Sequence, residues 1–474
     1  MNVEHWIGGE RVPSAGRFED RSPIDGSVLA HVARGGPEEA ALAVRAATGA
    51  FPAWARTSRE ERARLLHAVA DAIERRAGEL AMLETTDNGA LLRSHLRSVM
   101  PRVAHNFRFF ADWLLELDHA AFDTRGHANH VSWDPAGVAV LITPWNAPLM
   151  LATWKIAPAL AAGNTVVLKP AEWSPLTASL LGDITAEAGL PDGVFNVVQG
   201  HGTEVGPPLS GHPGVRRISF TGSVATARAI AAAAAPNLTP LSLELGGKSP
   251  LLVFADADLD LAADLAAEQY DNAGQVCLAA VRLLVEESVS AAFLERFLAR
   301  AATLRQGDPR DAETDIGPQI HPRQFGKIDG FVRRAVAAGA TPVLGGGPNP
   351  DLGGLYYQPT LLTGVKPGSE ILTEEVFGPV LTLQTFAHEE EAVTMANSTD
   401  YGLAATVVTG SPSRARRVSG RLVAGTVWVN CFFVRDLRAP FGGARRSGVG
   451  REGGNWSFDF YCDVKNTVSA PWEK

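Results

Sequence analysis

The chain has 474 residues, a formal net charge of −9 and 46% hydrophobic residues, which is enough for sizeable cores. At about 150 residues a domain, the length predicts roughly two to four domains. The acidic balance argues against nucleic acid as a partner, because proteins that bind it carry clustered lysine and arginine.

The cysteine count and the apolar runs exclude further classes of protein. The three cysteines, at positions 277, 431 and 462, form neither a disulfide framework nor a zinc-ligand pattern, so we expect no metal and a reducing compartment. No apolar run reaches the roughly 18 residues of a membrane helix. The first residues also lack the charged and apolar regions of a secretory signal. We therefore expect a cytoplasmic protein without a membrane partner.

Helical spacing of apolar residues dominates the first quarter of the chain. It predicts helices over residues 38–54, 59–85 and 99–117, with Pro101 in a first turn. Residues 127–137 then alternate polar and apolar side chains, which predicts a short hairpin.

From Gly137 onward, short apolar runs alternate with helical segments. The runs occupy residues 137–142, 165–169, 195–200, 217–222 and 241–247. This alternation predicts a parallel sheet covered by helices on both faces, a doubly wound α/β domain of the nucleotide-binding type.

A second alternating series begins near residue 250. Its later strands are predicted at residues 281–287, 341–347 and 380–387, which indicates a second α/β lobe. The tail, residues 460–472, alternates loosely and predicts an edge strand that could pair with another subunit. The predicted fold class is α/β, with doubly wound parallel sheets in two lobes.

Ligands of doubly wound sheets bind at the carboxyl ends of the strands, which selects a short set of residues. Asn146, Lys169 and Glu172 follow the first two strands, and Gly222 and Ser223 end the strand over 217–222. A Gly-Ser pair that opens a helix can hold a phosphate with backbone N–H groups. The alternative for this pair is an ordinary helix cap.

Glu244 lies in the run LSLELGG, where the leucines at 241, 243 and 245 face the opposite side. A carboxylate in so apolar a strand predicts a general base whose pKa is raised by burial. The alternative is a solvated residue on an edge strand.

Cys277 lies in the segment DNAGQVCLAAVR, beside Gly274 and other small residues. A free cysteine is commonly a packing residue. As a nucleophile it would need a nearby base and oxyanion donors, for which the Asn146 amide and its own N–H are candidates. A nicotinamide in the first lobe would then accept hydride.

Taken together, these fragments resemble the aldehyde dehydrogenase superfamily over the whole chain and in the same order. They are PWN at 144–146, KPAEWSP at 169–175, FTGS at 220–223, ELGGKSP at 244–250, GQVCLA at 274–279, EEVFGPV at 374–380 and PFGG at 440–443. No single piece is specific, but their joint occurrence is.

The resemblance implies NAD-dependent oxidation of an aldehyde to an acid through a thiohemiacetal and a thioester on Cys277. Asn146 would hold the oxyanion and Glu244 would activate water. The implied cofactor-binding residues are Thr143, Trp145, Lys169, Glu172, Gly222, Ser223, Leu245, Glu375 and Phe377. Glu172 favours NAD, because a carboxylate accepts ribose hydroxyls and repels a 2′-phosphate, while use of NADP stays open.

Residues 100–112, 430–443 and 450–454 are similar to dehydrogenases of 2-hydroxymuconate, aminomuconate and 5-carboxymethyl-2-hydroxymuconate semialdehydes. This similarity implies a carboxylated semialdehyde from aromatic ring cleavage, held by Arg102 and Arg435, with Arg438 as the next candidate. Alternatively, Arg102 lies on the surface and Arg435 pairs with Asp436 or another acid. Further alternatives are a broad aromatic and aliphatic aldehyde dehydrogenase, a CoA-acylating enzyme and a non-catalytic relative.

The family also implies a division of the chain and an assembly. An NAD-binding domain would take residues 1–118 and 136–243, and a catalytic domain would take 244–444. Residues 119–135 and 445–474 would form a small β oligomerisation element, giving a homodimer or homotetramer. Two residues depart from the family pattern: Ala227 replaces a common glycine, and Asn455 replaces a common glutamate. We therefore expect a proton-relay carboxylate to be missing.

Overall fold

The computed structural model describes residues 1–117 and 120–471. Its strands are β1 (Asn2–Val3), β2 (His5–Ile7), β3 (Glu10–Val12), β4 (Arg17–Arg21), β5 (Val28–Ala33), β6 (Ala121–Thr124), β7 (His127–Pro135), β8 (Val138–Ile142), β9 (Thr165–Lys169), β10 (Phe195–Val197), β11 (Val215–Gly222), β12 (Leu241–Leu245), β13 (Pro250–Val253), β14 (Arg282–Glu286), β15 (Thr341–Leu344), β16 (Thr360–Thr363), β17 (Val380–Phe386), β18 (Ala404–Val408), β19 (Thr426–Val429), β20 (Gly448–Val449) and β21 (Cys462–Ser469). Its helices are α1 (Pro37–Trp54), α2 (Arg59–Arg75), α3 (Ala77–Asn88), α4 (Leu92–Ser94), α5 (Met100–Glu116), α6 (Pro148–Ala161), α7 (Leu176–Glu187), α8 (Gly202–Ser210), α9 (Val224–Ala234), α10 (Leu259–Ala267), α11 (Ser290–Ala301), α12 (Pro322–Ala337), α13 (Glu370–Thr373), α14 (Glu389–Ala396), α15 (Pro412–Ser419) and α16 (Gly454–Tyr461).

The first large sheet has eight strands in the order β20-β12-β11-β8-β9-β10-β2-β3. The five central strands are parallel; at the edges β20 is antiparallel to β12, β2 is antiparallel to β10, and β3 is antiparallel to β2. Every residue of β8 and β9 is buried, because helices cover both faces of this sheet. The predicted α/β class is confirmed.

The second large sheet has seven strands in the order β15-β16-β17-β14-β13-β18-β19. All neighbours pair in parallel except β15, which is antiparallel to β16. This sheet is the predicted second α/β lobe. Its strand β13 begins five residues after β12 ends, so the chain passes directly from one sheet to the other.

The first quarter of the chain differs from the sequence prediction in two respects. Five short strands precede the first helix; β1, β5 and β4 form a separate small sheet, and β2 and β3 extend the eight-stranded one. These strands have two to six residues each, too few for alternation to be read reliably. The helix predicted over 59–85 is two helices, α2 and α3, because Arg76 leaves the helical region with φ −106° and ψ 13°.

The predicted hairpin is formed by β6 and β7, and the C-terminal strand β21 adds to it. Strand β21 pairs antiparallel with β7 from Cys462–Pro135 to Ser469–Ala128, which gives a sheet in the order β21-β7-β6. Parts of the predicted boundaries and of the predicted edge strand, residues 118–119 and 472–474, lie outside the described residues. Within the described ranges, the helices are too short or too polar to span a bilayer.

Candidate active site

Cys277 lies in the irregular segment between α10 and β14, and this segment is held firmly. Residues 272–274 have φ angles of 49°, 55° and 72°, so the backbone turns through three left-handed positions in a row. A side chain at Gly274 would approach the carbonyl oxygen of Gly378 to 2.2 Å, which explains the glycine. The Gln275 side chain donates to the carbonyl of Asn272 at 3.0 Å and accepts from the Ile320 amide at 3.0 Å.

The Cys277 thiol is partly buried against an apolar cluster that includes Leu278 and Phe441. The pKa of the thiol is raised to about 12, mainly by burial and also by the carboxylates of Glu375 and Glu244, while Arg435 acts in the opposite direction. The thiol is therefore protonated at neutral pH and needs a proton acceptor before it can attack.

Glu244 is in strand β12, between β11 and β20, with only 4% of the residue exposed. The alternative of a solvated residue on an edge strand is therefore wrong. Oε1 of Glu244 has no hydrogen-bond partner among the described residues. Burial raises the pKa of Glu244, and the negative charge of Glu452 raises it further. A buried, unpartnered carboxylate of raised pKa is suited to accept a proton.

Asn146 follows β8 and contacts the cysteine segment from the other lobe. The side-chain Nδ2 of Asn146 donates to the backbone carbonyl of Gln275 at 2.9 Å, and the backbone carbonyl of Asn146 accepts from Asn272 Nδ2 at 2.9 Å. The amide is thus tied to the backbone two residues before Cys277. Because an amide nitrogen carries two hydrogens, one N–H remains for a developing oxyanion.

The carboxyl ends of β8 and β9 bring Thr143, Lys169 and Glu172 together. The Thr143 amide donates to the Lys169 carbonyl at 3.2 Å, and Lys169 Nζ lies 3.7 Å from Oε2 of Glu172. Lys169 is buried, which lowers the pKa of its ammonium, whereas the Glu172 side chain keeps 29% of its surface exposed. A buried cation beside an accessible carboxylate can bind sugar hydroxyls.

Gly222 and Ser223 join β11 to α9 at the same edge of the sheet. Ser223 is the helix cap, since its Oγ accepts from the amide of Thr226 at 3.2 Å. This capping role leaves the other amides of the first turn available to an anion. Gly222 pairs with Leu245 of the neighbouring strand β12, so Leu245 lies at the same edge.

Glu375 and Phe377 face this edge from the second lobe. Oε1 of Glu375 accepts from the Gly247 amide at 3.0 Å, and a side chain at Gly246 would approach Oε2 to 2.2 Å. The Phe377 ring meets the ring of Trp145 edge-on at 5.3 Å. The two lobes thus present an aromatic pair and a carboxylate across a common cleft.

Arg102 of α5 and Arg435 of the loop after β19 meet at Trp154. The guanidinium carbon of each lies 5.5 Å from the centre of the Trp154 ring, and that of Arg435 lies 3.6 Å from the ring of Phe441. In the part of the chain that the structure describes, neither arginine is in an ion pair. The pKa of Arg102 is lowered to about 10, mainly by burial and also by the charge of Arg435.

Arg438 is not brought together with these two arginines. It is 68% exposed and binds both oxygens of Asp436, with Nη2 at 2.6 Å from Oδ2. The alternative in which Asp436 pairs with Arg435 is therefore wrong.

A sequence profile described as the aldehyde dehydrogenase family matches residues 11–467. The chain belongs to the aldehyde dehydrogenase family. It is 46% identical to the 2-hydroxymuconic semialdehyde dehydrogenase of Pseudomonas sp. (strain CF600), and the match covers 98% of each chain. It is 42% identical to the 5-carboxymethyl-2-hydroxymuconate semialdehyde dehydrogenase of Escherichia coli, with 96% of this chain and 98% of that one covered. The solved structure of an indole-3-acetaldehyde dehydrogenase complexed with NAD+ has a TM-score of 0.97 at 39% identity, covering 99% of this chain and 97% of that chain. The predicted family is confirmed.

Sequence reasoning missed a buried polar cluster behind Glu244. Lys155 of α6 contacts Glu452 at 2.6 Å and Ser219 at 2.9 Å. The carboxylate of Glu452 thus lies near the proposed base Glu244, whereas the sequence predicted such a carboxylate to be missing because position 455 is asparagine. Asn455 itself lies on the surface, where it accepts a hydrogen bond from Trp113 Nε1 at 2.9 Å. A lysine inside the apolar run LMLATWKIAPALAAG was the available signal, because a buried lysine needs a charged partner.

Proposed function

We propose that this dehydrogenase oxidises an aldehyde that carries a remote carboxylate, with NAD as the hydride acceptor. The observation that carries the proposal is the pair of guanidiniums of Arg102 and Arg435, which share the Trp154 ring and have no acidic partner among the described residues. Arginine is the natural partner of a carboxylate, which it binds through two parallel hydrogen bonds. The similarity to two semialdehyde dehydrogenases supports the same substrate class, and 2-hydroxymuconate semialdehyde is the substrate to test first.

The residues of the cleft fit NAD. Glu172 and Lys169 would hold the adenosine ribose, and the first turn of α9 behind Gly222 and Ser223 would hold the pyrophosphate. Glu375 would hold the nicotinamide ribose. Thr143, Leu245, Trp145 and Phe377 would line the remaining surface of the cofactor. When bound, the nicotinamide supplies the acceptor for hydride. NAD-bound relatives support the assignment.

The chain's own residues divide the covalent work. Glu244 takes the proton of the Cys277 thiol and passes it to solvent, the sulfur adds to the aldehyde carbon, and the oxyanion of the resulting thiohemiacetal takes hydrogen bonds from the Asn146 amide and the Cys277 N–H. Transfer of hydride to the bound nicotinamide would then leave a thioester on Cys277. Glu244 then removes a proton from water, and the hydroxide adds to the thioester carbon. The carbon–sulfur bond breaks and the departing sulfur takes the proton back from Glu244, which releases the acid and restores the thiol. A water-activating base favours hydrolysis over transfer to CoA.

The test compares 2-hydroxymuconate semialdehyde with benzaldehyde and hexanal by initial rates of NADH formation. We expect Arg435→Ala and Arg102→Ala each to lower the preference for the carboxylated aldehyde by roughly tenfold or more, since a hydrogen bond to a charged group contributes about 1.5–3 kcal/mol. Arg108→Ala is the matched control, because Arg108 also lies on α5 but pairs with Asp71 and Glu74. If neutral aldehydes match the semialdehyde and the variants keep the wild-type preference, the protein is a broad aldehyde dehydrogenase.

We further propose a cytoplasmic homodimer or homotetramer. Strand β21 pairs with β7 on one side, and Val464 and Val468 on it are 54% and 56% exposed. An edge strand with exposed valines favours pairing with a second copy. In this proposal each copy has an NAD-binding domain (residues 1–118 and 136–243), a catalytic domain (residues 244–444) and an oligomerisation element (residues 119–135 and 445–474). Light scattering would overturn it by giving a monomer mass.

A further inference from the structure

Asn106 is a completely buried side chain one helical turn after Arg102 on α5. A buried amide is costly unless its hydrogen bonds are satisfied. Within the described residues, the hydrogen bonds of its side chain go to Arg102 and to helix α6, which carries Trp154. Arg102, Arg435 and the Trp154 ring form the proposed carboxylate anchor. The placement of Asn106 links its amide to Arg102 and to the helix of Trp154.

The hydrogen bonds fix the orientation of the Asn106 amide. Its Oδ1 accepts from Arg102 Nε at 2.9 Å, and its Nδ2 donates to Thr153 Oγ1 at 3.0 Å and to the Met150 carbonyl at 3.3 Å. Arginine can only donate and a carbonyl can only accept, so the reverse orientation of the amide would break both contacts.

We infer that Asn106 is a positioning residue that holds the Arg102 guanidinium for the substrate carboxylate; this inference rests on the proposed function. The amide occupies Nε, while within the described residues no acceptor is bonded to either Nη of Arg102. The Trp154 ring supports the guanidinium from another side. Two of the three guanidinium nitrogens therefore remain free, and the long side chain is held in place before substrate arrives.

The neutrality of the Asn106 amide is as important as its hydrogen bond. A carboxylate at this position would form a permanent ion pair with Arg102 and would compete with the substrate. An amide accepts from Nε but leaves the positive charge uncompensated. Asparagine thus positions the arginine without consuming its charge.

The experiment measures kcat and KM for 2-hydroxymuconate semialdehyde and for hexanal in Asn106→Ser and Asn106→Asp. Serine keeps a hydroxyl for the Thr153 side but cannot reach Arg102. We expect the preference for the semialdehyde to fall roughly tenfold in Asn106→Ser, through KM rather than kcat, because one hydrogen bond to a charged group is lost. We expect a larger fall in Asn106→Asp. Thermal melts establish that each variant is folded, and Arg108→Ala again serves as the control.

The double variant Arg102→Ala with Asn106→Ser separates positioning from a purely structural role. If Asn106 acts through Arg102, adding Asn106→Ser to Arg102→Ala lowers the preference no further. The inference is overturned if Asn106→Ser lowers the preference for the semialdehyde by the same factor in Arg102→Ala as in the wild type, because Asn106 would then act by packing α5 on α6. Should Arg102→Ala itself leave the preference unchanged, the proposed anchor fails; should Arg102→Ala lower it while both Asn106 variants do not, only the inference about Asn106 fails.

Discussion

Nζ of Lys155 lies 2.6 Å from Oε1 of Glu452, and Ser219 bridges the two groups, accepting from Lys155 at 2.9 Å and donating to Glu452 at 3.1 Å. All three side chains are buried. The charges of this pair act on the pKa of Glu244 in opposite directions, Glu452 raising it and Lys155 lowering it. Burial is the main cause of the raised pKa of Glu244, and the Lys155–Glu452 pair adjusts it.

Glu452→Gln is expected to weaken Glu244 as a base. It removes the charge that raises the pKa of Glu244 and leaves the Lys155 charge that lowers it, so the pKa falls. Glu244 is active when deprotonated, and the acidic limb of the deacylation rate therefore moves to lower pH. At pH values above this limb, the deacylation rate falls roughly threefold for each unit by which the pKa of Glu244 is lowered, at a Brønsted coefficient near 0.5. Rapid-mixing measurement of NADH would show an initial burst followed by a slower steady rate.

Asn455→Glu is the informative control for this experiment. Asn455 lies on the surface against Trp113, so a carboxylate there cannot reach Glu244 and we expect no change in the deacylation rate. A gain in rate from Asn455→Glu, or an unchanged acidic limb in Glu452→Gln, would contradict the assignment of the relay carboxylate to Glu452.

The protonated state of Cys277 predicts how it reacts with iodoacetamide. Because the thiol pKa is about 12, the thiolate fraction rises about tenfold for each pH unit between roughly pH 7 and 10, and the alkylation rate follows without a plateau. Glu244→Gln removes a charge that raises this pKa and speeds alkylation at pH 8, whereas Arg435→Ala slows it. Subtracting the Cys277→Ser rate corrects for the other two cysteines. A plateau below pH 9 would refute the raised pKa.

The pair formed by Glu172 and Lys169 predicts the choice of nucleotide. Glu172→Gln removes the charge that would repel a 2′-phosphate and leaves the Lys169 ammonium, which lies 3.7 Å from Glu172. We expect kcat/KM for NADP relative to NAD to rise roughly tenfold, since such a carboxylate selects against the phosphate. Glu204→Gln is the control, because Glu204 lies on α8 and pairs with Arg34. If Glu172→Gln and Glu204→Gln have the same ratio of kcat/KM for NADP to that for NAD, the nucleotide does not bind at Glu172.

The position of most of the candidate site followed from one rule about strand ends. Asn146, Lys169 and Glu244 each lie at or just after a strand that its apolar run had indicated, and parallel strands end at the same edge of a sheet. The five central strands of the first sheet were predictable because their apolar runs alternate with helical segments. The N-terminal strands were not, because strands of two or three residues leave no period to read.

Contacts between distant residues could not be predicted from the sequence. Lys155 and Glu452 are separated by 297 positions, and nothing in either segment specifies the other. The loop 430–443 has no helical or strand period, so its sequence left open whether Asp436 pairs with Arg435. Backbone turns settle such choices, and here Arg438 also donates its own amide to Asp436 at 2.8 Å.

The pairing of Arg438 with Asp436 predicts an indirect effect on the neighbouring arginines. Asp436 follows Arg435 in the chain, and its charge already acts on Arg102. Hydrogen bonds from Arg438 hold the pKa of Asp436 well below its usual range and keep the carboxylate occupied. Arg438→Ala frees this carboxylate to compete with substrate for Arg102, and we expect KM for 2-hydroxymuconate semialdehyde to rise roughly two- to fivefold, as for an exposed ion pair.

The cycle with Asp436→Asn decides how Arg438 acts. If Arg438 only occupies Asp436, the double variant Arg438→Ala with Asp436→Asn has the wild-type KM, because no free carboxylate remains. If Arg438 itself binds the substrate, as its sequence position also allowed, the double variant keeps the raised KM of Arg438→Ala. Both residues are largely exposed, at 68% and 49% of their side-chain surface, so neither substitution disturbs the core. The measured KM therefore reports on the guanidiniums at Trp154 and not on the stability of the fold.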